Sequence, residues 1–179
     1  MKLRDTLAAG LAALCLALPA AAADLPPLSH GLTPQAPKPA PALALPDLDG
    51  KMHDLAELKG KVVLINFWAT WCPPCRREMP SMERLQQALA DAPFVVLAVD
   101  VGEDADTIEA FTSQLDTQPT FPILLDTRSR TMQAWKVAGL PTTYLVDKQG
   151  RIVASAIGGR EFDHPAMVEA IRGVIGARD

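Results

Sequence analysis

Cysteine is scarce in this sequence, with only Cys15, Cys72 and Cys75 among 179 residues. A structural zinc site needs four ligands, supplied by a second cysteine pair or by two closely spaced histidines. The three histidines lie at positions 30, 53 and 164, and no two of them are close enough in sequence to complete such a site. The sequence therefore argues against bound zinc, and we expect no metal.

Other signatures are missing as well. No G-x-G-x-x-G fingerprint occurs, so neither a flavin nor a nicotinamide site is indicated. The formal net charge is −4, and no excess of basic residues suggests a nucleic acid as partner. There is no internal repeat. We expect a protein that has no bound cofactor and does not bind nucleic acid.

The first residues have the composition of an export signal. Lys2 and Arg4 precede an apolar run over 7–18, and the segment ends in small residues at 21–23. A basic start, a short apolar middle and an A-x-A end are typical of a secretory signal peptide. We therefore predict that residues 1–23 are a cleaved signal and that the protein is periplasmic, the alternative being an uncleaved membrane anchor.

A proline-rich stretch follows the predicted signal. Seven prolines fall between positions 24 and 46. Such a composition favours an extended, semi-rigid chain without a core of its own. We predict a spacer over 24–41 and one folded domain over 42–179.

The central motif is the pair Cys72 and Cys75, separated by Pro73 and Pro74. An apolar run over 62–65 precedes it and reads as a strand buried on both faces. Apolar residues recur at helical spacing over 76–90, after the motif. The pattern thus predicts a Cys-x-x-Cys pair at a strand-to-helix junction.

This position gives the two thiols different roles. The start of a helix stabilises an anion and lowers the pKa of a nearby thiol, so we predict that Cys72 is exposed, ionisable and nucleophilic. Cys75 lies one turn inside and is expected to resolve the mixed disulfide formed by Cys72. Once Cys15 is removed, no other cysteine remains for structural bridges. The motif therefore predicts an enzyme of thiol–disulfide exchange with a redox-active Cys72–Cys75 disulfide.

The two prolines also indicate the direction of that exchange. Neither Pro73 nor Pro74 has an amide hydrogen that could stabilise a Cys72 thiolate. A less stable dithiol form favours a reducing protein over a strong oxidant. We therefore interpret the chain as a disulfide reductase, with a general thiol oxidase as the alternative.

Strands and helices alternate along the rest of the chain. Short apolar strands separated by amphipathic helices, with a terminal hairpin over 142–157, predict an α/β fold whose mixed sheet carries helices on both faces. Residues 42–53 predict an added N-terminal β-hairpin with its turn at Asp49–Gly50.

The residues from Phe67 to Cys75, Pro80 and the segment 139–147 together resemble the thioredoxin superfamily. The segments 45–51 and 101–103 are similar to its exported TlpA/ResA-like (CcmG-like) branch. The resemblance implies a thioredoxin fold and a cis peptide bond before Pro141 that faces the cysteines. It also implies that the Leu140 backbone pairs with an extended substrate segment.

Trp71 and Glu78 complete the predicted site. Trp71 is expected to be an exposed apolar contact for the substrate. Glu78 resembles the acidic residue of ResA-like reductases. Burial would raise its pKa and let it accept the proton of Cys75. The alternative is a first-turn glutamate that only pairs with the helix dipole. The buried acid of ordinary thioredoxins falls on Asn66 here, which cannot titrate.

The predicted partners follow from this interpretation. The substrates would be protein disulfides, and the resemblance suggests apocytochrome c or a copper-site protein as client and a membrane thiol protein as electron donor. We expect a monomer. Two other functions are possible. A thiol peroxidase requires a threonine three residues before its reactive cysteine, and this chain has Ala69 there. The other is a copper-binding chaperone.

Overall fold

The computed structural model describes residues 28–177. The strands are β1 (Thr33–Pro39), β2 (Ala44–Pro46), β3 (Met52–Asp54), β4 (Val62–Trp68), β5 (Phe94–Val101), β6 (Ile123–Asp126), β7 (Thr142–Val146) and β8 (Arg151–Ile157). The helices are α1 (Pro73–Ala88), α2 (Ala105–Thr112), α3 (Arg130–Ala134) and α4 (Pro165–Gly176), with a 3₁₀ turn at Leu55–Leu58.

The predicted signal at 1–23 lies outside the described residues. Within them, no helix has the length and apolar character needed to cross a bilayer.

Six strands form one mixed sheet in the order β1-β8-β7-β4-β5-β6. The β4–β5 and β5–β6 pairs are parallel, because a helix connects each strand to the next. The β4–β7, β7–β8 and β1–β8 pairs are antiparallel. The predicted mixed sheet and the terminal hairpin are therefore confirmed.

Strand β4 occupies the middle of the sheet, and all seven of its residues are buried. Its side chains alternate between two core clusters, one on each face of the sheet. Leu64 and Trp68 belong to the cluster that also contains the buried residues of α1, α2 and α4. Ile65 and Phe67 belong to the cluster that contains Trp135, which follows α3. Helices thus cover both faces, as predicted.

The added N-terminal hairpin is present as a separate two-stranded sheet of β2 and β3. Leu45 pairs with His53 across it. Gly50 closes the turn with a φ of +79°, a conformation that glycine adopts without a steric penalty. The hairpin prediction is confirmed, and the strands lie one or two residues further along than expected.

The segment predicted as a spacer contains a strand. Residues Thr33–Pro39 form β1, which pairs with β8 at the edge of the main sheet, so this part of 24–41 is extended but not detached from the fold. Proline is tolerated there because an edge strand needs hydrogen bonds on one side only. Proline content alone cannot distinguish a free extended chain from an edge strand.

Candidate active site

Cys72 and Cys75 are joined by a disulfide at the start of α1, as the motif predicted. Their Cα atoms lie 5.3 Å apart. Cys72 occupies the N-cap position, and Pro73 and Pro74 form the first two helical positions. The first turn therefore offers a single amide hydrogen, that of Cys75, because the two prolines have none.

The predicted exposure of Cys72 is wrong. Only 3% of Cys72 is accessible to solvent in the disulfide form, and Cys75 is completely buried. The N-cap turn directs Cys72 into the same core cluster as Trp68, Ala69 and Met79, which the sequence position alone does not show. The predicted order of exposure nevertheless holds, because Cys72 has some accessible surface and Cys75 has none.

A large apolar side chain is exposed directly beside the cysteines. Trp71, which directly precedes Cys72, is 67% exposed, so its predicted exposure is confirmed. Trp68, three residues earlier, is buried in the core. An exposed indole is unusual, because tryptophan usually buries most of its surface.

The peptide bond between Leu140 and Pro141 is cis, as the family resemblance implied. Thr142 pairs with Phe67 across the β7–β4 ladder, so this peptide bond lies beside the end of β4 from which the loop to Cys72 leaves. The half-buried Leu140 packs against the core cluster that contains both cysteines. The segment and the disulfide therefore pack against the same core cluster.

The backbone of Leu140 is available for pairing. Within residues 28–177, neither its amide nor its carbonyl takes part in a hydrogen bond. The next residue is anchored, since the Gly158 amide donates to the Pro141 carbonyl over 2.8 Å. A free edge next to a fixed residue is the arrangement that an extended peptide can join.

Glu78 lies inside the protein on α1 and has no exposed surface. The Asn66 side-chain amide donates to its Oε1 over 2.8 Å, and the Arg160 backbone amide donates to its Oε2 over 2.9 Å. The carboxyl group is therefore not a first-turn partner of the helix dipole, and that alternative is excluded. It is held between the core of the sheet and the segment that follows β8.

Burial raises the pKa of Glu78 to about 8, because removal from water disfavours the charged form. The hydrogen bonds from Arg160 and Asn66 and the positive charge of Arg160 act in the opposite direction, and their effects are smaller. The predicted direction of the pKa shift is confirmed. A carboxyl group with this pKa is suited to exchanging a proton near neutral pH.

Asn66 connects Glu78 to the strand that follows the cis peptide bond. Its amide also donates to the Thr143 hydroxyl over 3.1 Å. Its own Oδ1 is buried without a partner in this structure. The position that carries an acid in ordinary thioredoxins thus supplies a hydrogen-bond donor to the acid on α1.

A second buried carboxyl lies at the end of β5. Asp100 is completely buried and pairs in register with Trp68 of β4. Burial above all, together with the hydrogen bond and negative charge of Glu103 and the charge of Asp126, raises the pKa of Asp100 to about 8. Asp100 therefore holds a proton at neutral pH.

This proton makes stability depend on pH. The pKa of Asp100 is higher in the folded chain than in the unfolded chain, so the folded state binds the proton more tightly and loses stability as pH rises from about 4 to about 8. We expect Asp100→Asn to be more stable than the parent at pH 9 by about 2 kcal/mol, and similar to it at pH 4. Urea unfolding at both pH values measures this, and an equal loss of stability with pH in the two proteins would contradict it.

Three features near the site were not predicted from the sequence. Asn66 and Arg160 hold Glu78, and Ile157 is 68% exposed at the end of β8, opposite Thr142. The polar Asn66 within an otherwise apolar strand was the available signal for the first. Arg160 acts through its backbone amide, which no sequence pattern marks. In the part of the chain that the structure describes, no three His, Cys, Asp or Glu side chains come together as a metal site would need.

Comparison with known proteins identifies the chain's relatives. The AhpC/TSA family profile matches residues 36–155. The thiol-disulfide oxidoreductase ResA of Geobacillus thermodenitrificans is 42% identical over 113 residues, which cover 63% of this chain and 64% of that protein. The chain therefore matches less than two thirds of this relative's length. ResA of Bacillus cereus is 38% identical over 121 residues, covering 68% of this chain and 69% of the relative.

A solved structure agrees with these relatives. A Chlorobium tepidum protein assigned as the thiol:disulfide interchange protein DsbE superimposes with a TM-score of 0.72 at 30% identity, covering 80% of this chain and all of that one. The predicted thioredoxin fold is confirmed by this likeness and by the mixed sheet. The chain belongs to the AhpC/TSA family of the thioredoxin superfamily.

Proposed function

We propose that this protein is a thiol–disulfide oxidoreductase that reduces disulfides in other proteins. The observation that carries the proposal is the Cys72–Cys75 disulfide at the start of α1, directly after the exposed Trp71, in a chain that also has the cis peptide bond before Pro141. The names of the ResA relatives support the same chemistry. No metal or organic cofactor is needed, because the two sulfurs themselves carry the electron pair.

The reaction begins with both cysteines reduced. The Cys72 thiolate attacks one sulfur of the target disulfide, forms a mixed disulfide with it and releases the other target sulfur as a thiolate that takes up a proton. Cys75 then attacks the sulfur of Cys72, which closes the Cys72–Cys75 disulfide and releases the second target thiol. Two electrons pass from the protein to the target in this sequence.

Glu78 is proposed as the proton acceptor for the second step. Cys75 is completely buried and must lose its proton before it can attack, since only the thiolate is nucleophilic. Glu78 lies three residues further along the same helix and is also completely buried. A carboxylate here could take the Cys75 proton without exposing either group to water.

The reducing direction is proposed from the two prolines. With Pro73 and Pro74 in the first turn, the Cys72 thiolate has fewer amide donors than it would have in other sequences, so the dithiol form is less stabilised. The experiment is a thiol–disulfide equilibrium against glutathione, combined with turnover of a protein disulfide such as that of insulin. A reduction potential near the about −120 mV of the strong oxidant DsbA would overturn the reducing direction.

The substrate surface is proposed to consist of Trp71, Leu140, Pro141 and the newly found Ile157. We expect Trp71→Ala to raise KM for a protein disulfide about tenfold, equivalent to about 1.4 kcal/mol of lost contact, with little change for a small disulfide. Steady-state kinetics with both substrates measures this. Met52→Ala is the matched control, because Met52 is also an exposed apolar side chain, 57% accessible, but lies on the separate β2–β3 hairpin. Equal effects of the two variants would contradict a specific contact at Trp71.

Location and partners belong to the same proposal. We propose export to the periplasm through residues 1–23, re-reduction by a membrane thiol protein, and apocytochrome c or a copper-site protein as client. The proposal is supported by the composition of the leader and by the presence of only two cysteines beyond it. The N-terminal residue and the cell fraction of the natural protein test the export step, and a full-length chain in the cytoplasmic fraction would contradict it.

A further inference from the structure

The loop that precedes the cysteines is held by a carboxylate from a neighbouring loop. The backbone amide of Thr70 donates to Glu103 Oε2 over 2.6 Å, and the Thr70 hydroxyl donates to Glu103 Oε1 over 2.6 Å. Both carboxylate oxygens are therefore committed to one residue, two positions before Cys72. Hydrogen bonds to an ionised acceptor are shorter and about twice as strong as bonds between neutral groups.

Glu103 is itself fixed on the end of β5. Its backbone amide donates to Asp100 Oδ1 over 3.2 Å, and the amide of Gly102 donates to the Asp126 carbonyl over 3.1 Å. Gly102 adopts a φ of +86°, which a residue with a side chain would rarely adopt. Asp104 caps α2 by accepting from the Thr107 amide over 2.9 Å. The carboxylate thus projects from a loop whose backbone is anchored on both sides.

In the loop that it holds, Ala69 and Cys72 are buried in the core, and Thr70 is held by hydrogen bonds. Trp71 is 67% exposed and cannot anchor the chain by packing. The only backbone bond across the turn joins the Cys72 amide to the Ala69 carbonyl at 3.2 Å, in the part of the chain described here. The position of Cys72 relative to Cys75 therefore depends both on this packing and on where Thr70 is held.

We propose that Glu103 is a positioning residue for the exchange reaction of Cys72, which it influences through Thr70 without touching either sulfur. The inference rests on the proposed thiol–disulfide function. A fixed turn keeps the Cys72 thiol close to Cys75 and raises the effective concentration of one thiol at the other. The clamp therefore stabilises the disulfide form relative to the dithiol form.

The relative stability of the disulfide and dithiol forms is measured by thiol–disulfide exchange with glutathione. The two thiols of the reduced protein and one glutathione disulfide give the Cys72–Cys75 disulfide and two glutathione thiols. Two electrons pass from the protein to glutathione, and the two thiol protons end on the glutathione products. A loosened turn lowers the equilibrium constant of this reaction, because the ring must be closed from a broader ensemble of loop positions.

Asp100 supports the role of Glu103. Its carboxyl is completely buried, its Oδ1 accepts the Glu103 amide, and burial raises its pKa to about 8. Asp100 Oδ2 is buried without a hydrogen-bond partner in this structure, and a proton on this carboxyl removes a negative charge that would repel the Glu103 carboxylate. The proton on Asp100 thus leaves the Glu103 carboxylate free to accept from Thr70.

The chain contains a matched clamp elsewhere. Glu83 of α1 accepts from the Thr120 amide over 2.7 Å and from the Thr120 hydroxyl over 2.9 Å. The chemistry is the same, but the clamped loop precedes β6 and does not lead to a cysteine. Removing the threonine hydroxyl at each place separates an effect on the disulfide from a general loss of stability.

The experiment measures the glutathione equilibrium constant of the full chain and its variants. We expect Glu103→Ala to lower the constant about tenfold, which corresponds to a potential about 30 mV higher. Thr70→Val, which removes one of the two bonds, is expected to lower it about threefold. Glu103→Gln can still accept one bond and donate to the Thr70 hydroxyl, so it should recover most of the parent value. Thr120→Val should stay within twofold of the parent.

Each outcome decides the inference. A shift in Glu103→Ala and Thr70→Val without a shift in Thr120→Val supports it, and if Glu103→Ala does not fold, Thr70→Val decides alone. Parent-like constants in the Thr70 variant, or equal shifts in both threonine variants, overturn it. A parent protein that exchanges with glutathione but turns over no protein disulfide would instead refute the proposed function. The comparison among the variants would remain valid.

Discussion

Cys75→Ser is expected to lose turnover completely and to accumulate as a mixed disulfide with its substrate. Cys72 keeps its thiol and can still attack, but no second sulfur is present to release the bound target. The structure supports this division of roles, because Cys72 retains 3% of its surface and Cys75 retains none. Incubation of the reduced variant with a protein disulfide, followed by non-reducing electrophoresis and mass spectrometry, measures the adduct.

Cys72→Ser is the matched control for this trap. It retains one thiol at a buried position and is expected to form at least tenfold less adduct, because the thiol of Cys75 is shielded from incoming disulfides. Both variants lack the Cys72–Cys75 disulfide, so a difference between them cannot come from its loss. Equal adduct formation by the two variants would contradict the assignment of Cys72 as the attacking sulfur.

Local sequence patterns correctly predicted the strand and the helix that flank the two cysteines. The apolar run before Cys72 and the helical spacing after Cys75 each depend on neighbouring residues, and the structure has β4 and α1 at those places. The cis bond before Pro141 was implied by the family resemblance and is present. Burial of Glu78 was predicted because a residue three positions beyond Cys75 shares its face of the helix.

The contacts that the sequence did not predict join distant segments. The Arg160 amide meets Glu78 from 82 residues away, and Glu103 meets Thr70 from 33 residues away. Neither contact has a periodicity, and the family resemblance of residues 101–103 does not show which residue Glu103 meets, since each contact depends on how strands are ordered in the sheet. The burial of Cys72 was missed for a similar reason, because exposure at a helix start depends on what packs over it. The pairing of β1 with β8 likewise follows from the strand order.

Glu78→Gln is expected to slow the resolution step about a hundredfold at pH 8 and above, within the range typical of a lost general base. With its pKa at about 8, Glu78 is ionised in about a tenth of the molecules at pH 7, so the parent rate should rise with pH and level off above pH 8. Glutamine cannot accept the Cys75 proton at any pH, and this rise should disappear.

The same substitution is expected to increase stability at high pH. The folded-state pKa of Glu78 is above the unfolded value of 4.5, so the parent loses stability as pH rises from about 4.5 to about 8. Glutamine carries no charge, and it can keep both contacts if Asn66 turns its side-chain amide. Asn66 Oδ1, now without a partner, would then accept from the glutamine amide. We expect a gain of about 2 kcal/mol in the free energy of unfolding at pH 9.

Rapid-mixing kinetics of mixed-disulfide resolution from pH 6 to pH 10, with urea unfolding in parallel, measure both effects. Glu83→Gln is the matched control, because Glu83 is also a completely buried carboxyl of α1 but binds Thr120 and Gln87. It should keep the rise of the rate near pH 8. If Glu78→Gln also keeps that rise, another group accepts the proton. If Glu78 is a buried acid retained for its chemistry, we expect the Glu78→Gln variant to resolve the mixed disulfide more slowly and to be more stable at pH 9. A residue retained for packing or hydrogen bonding alone would lose stability when replaced.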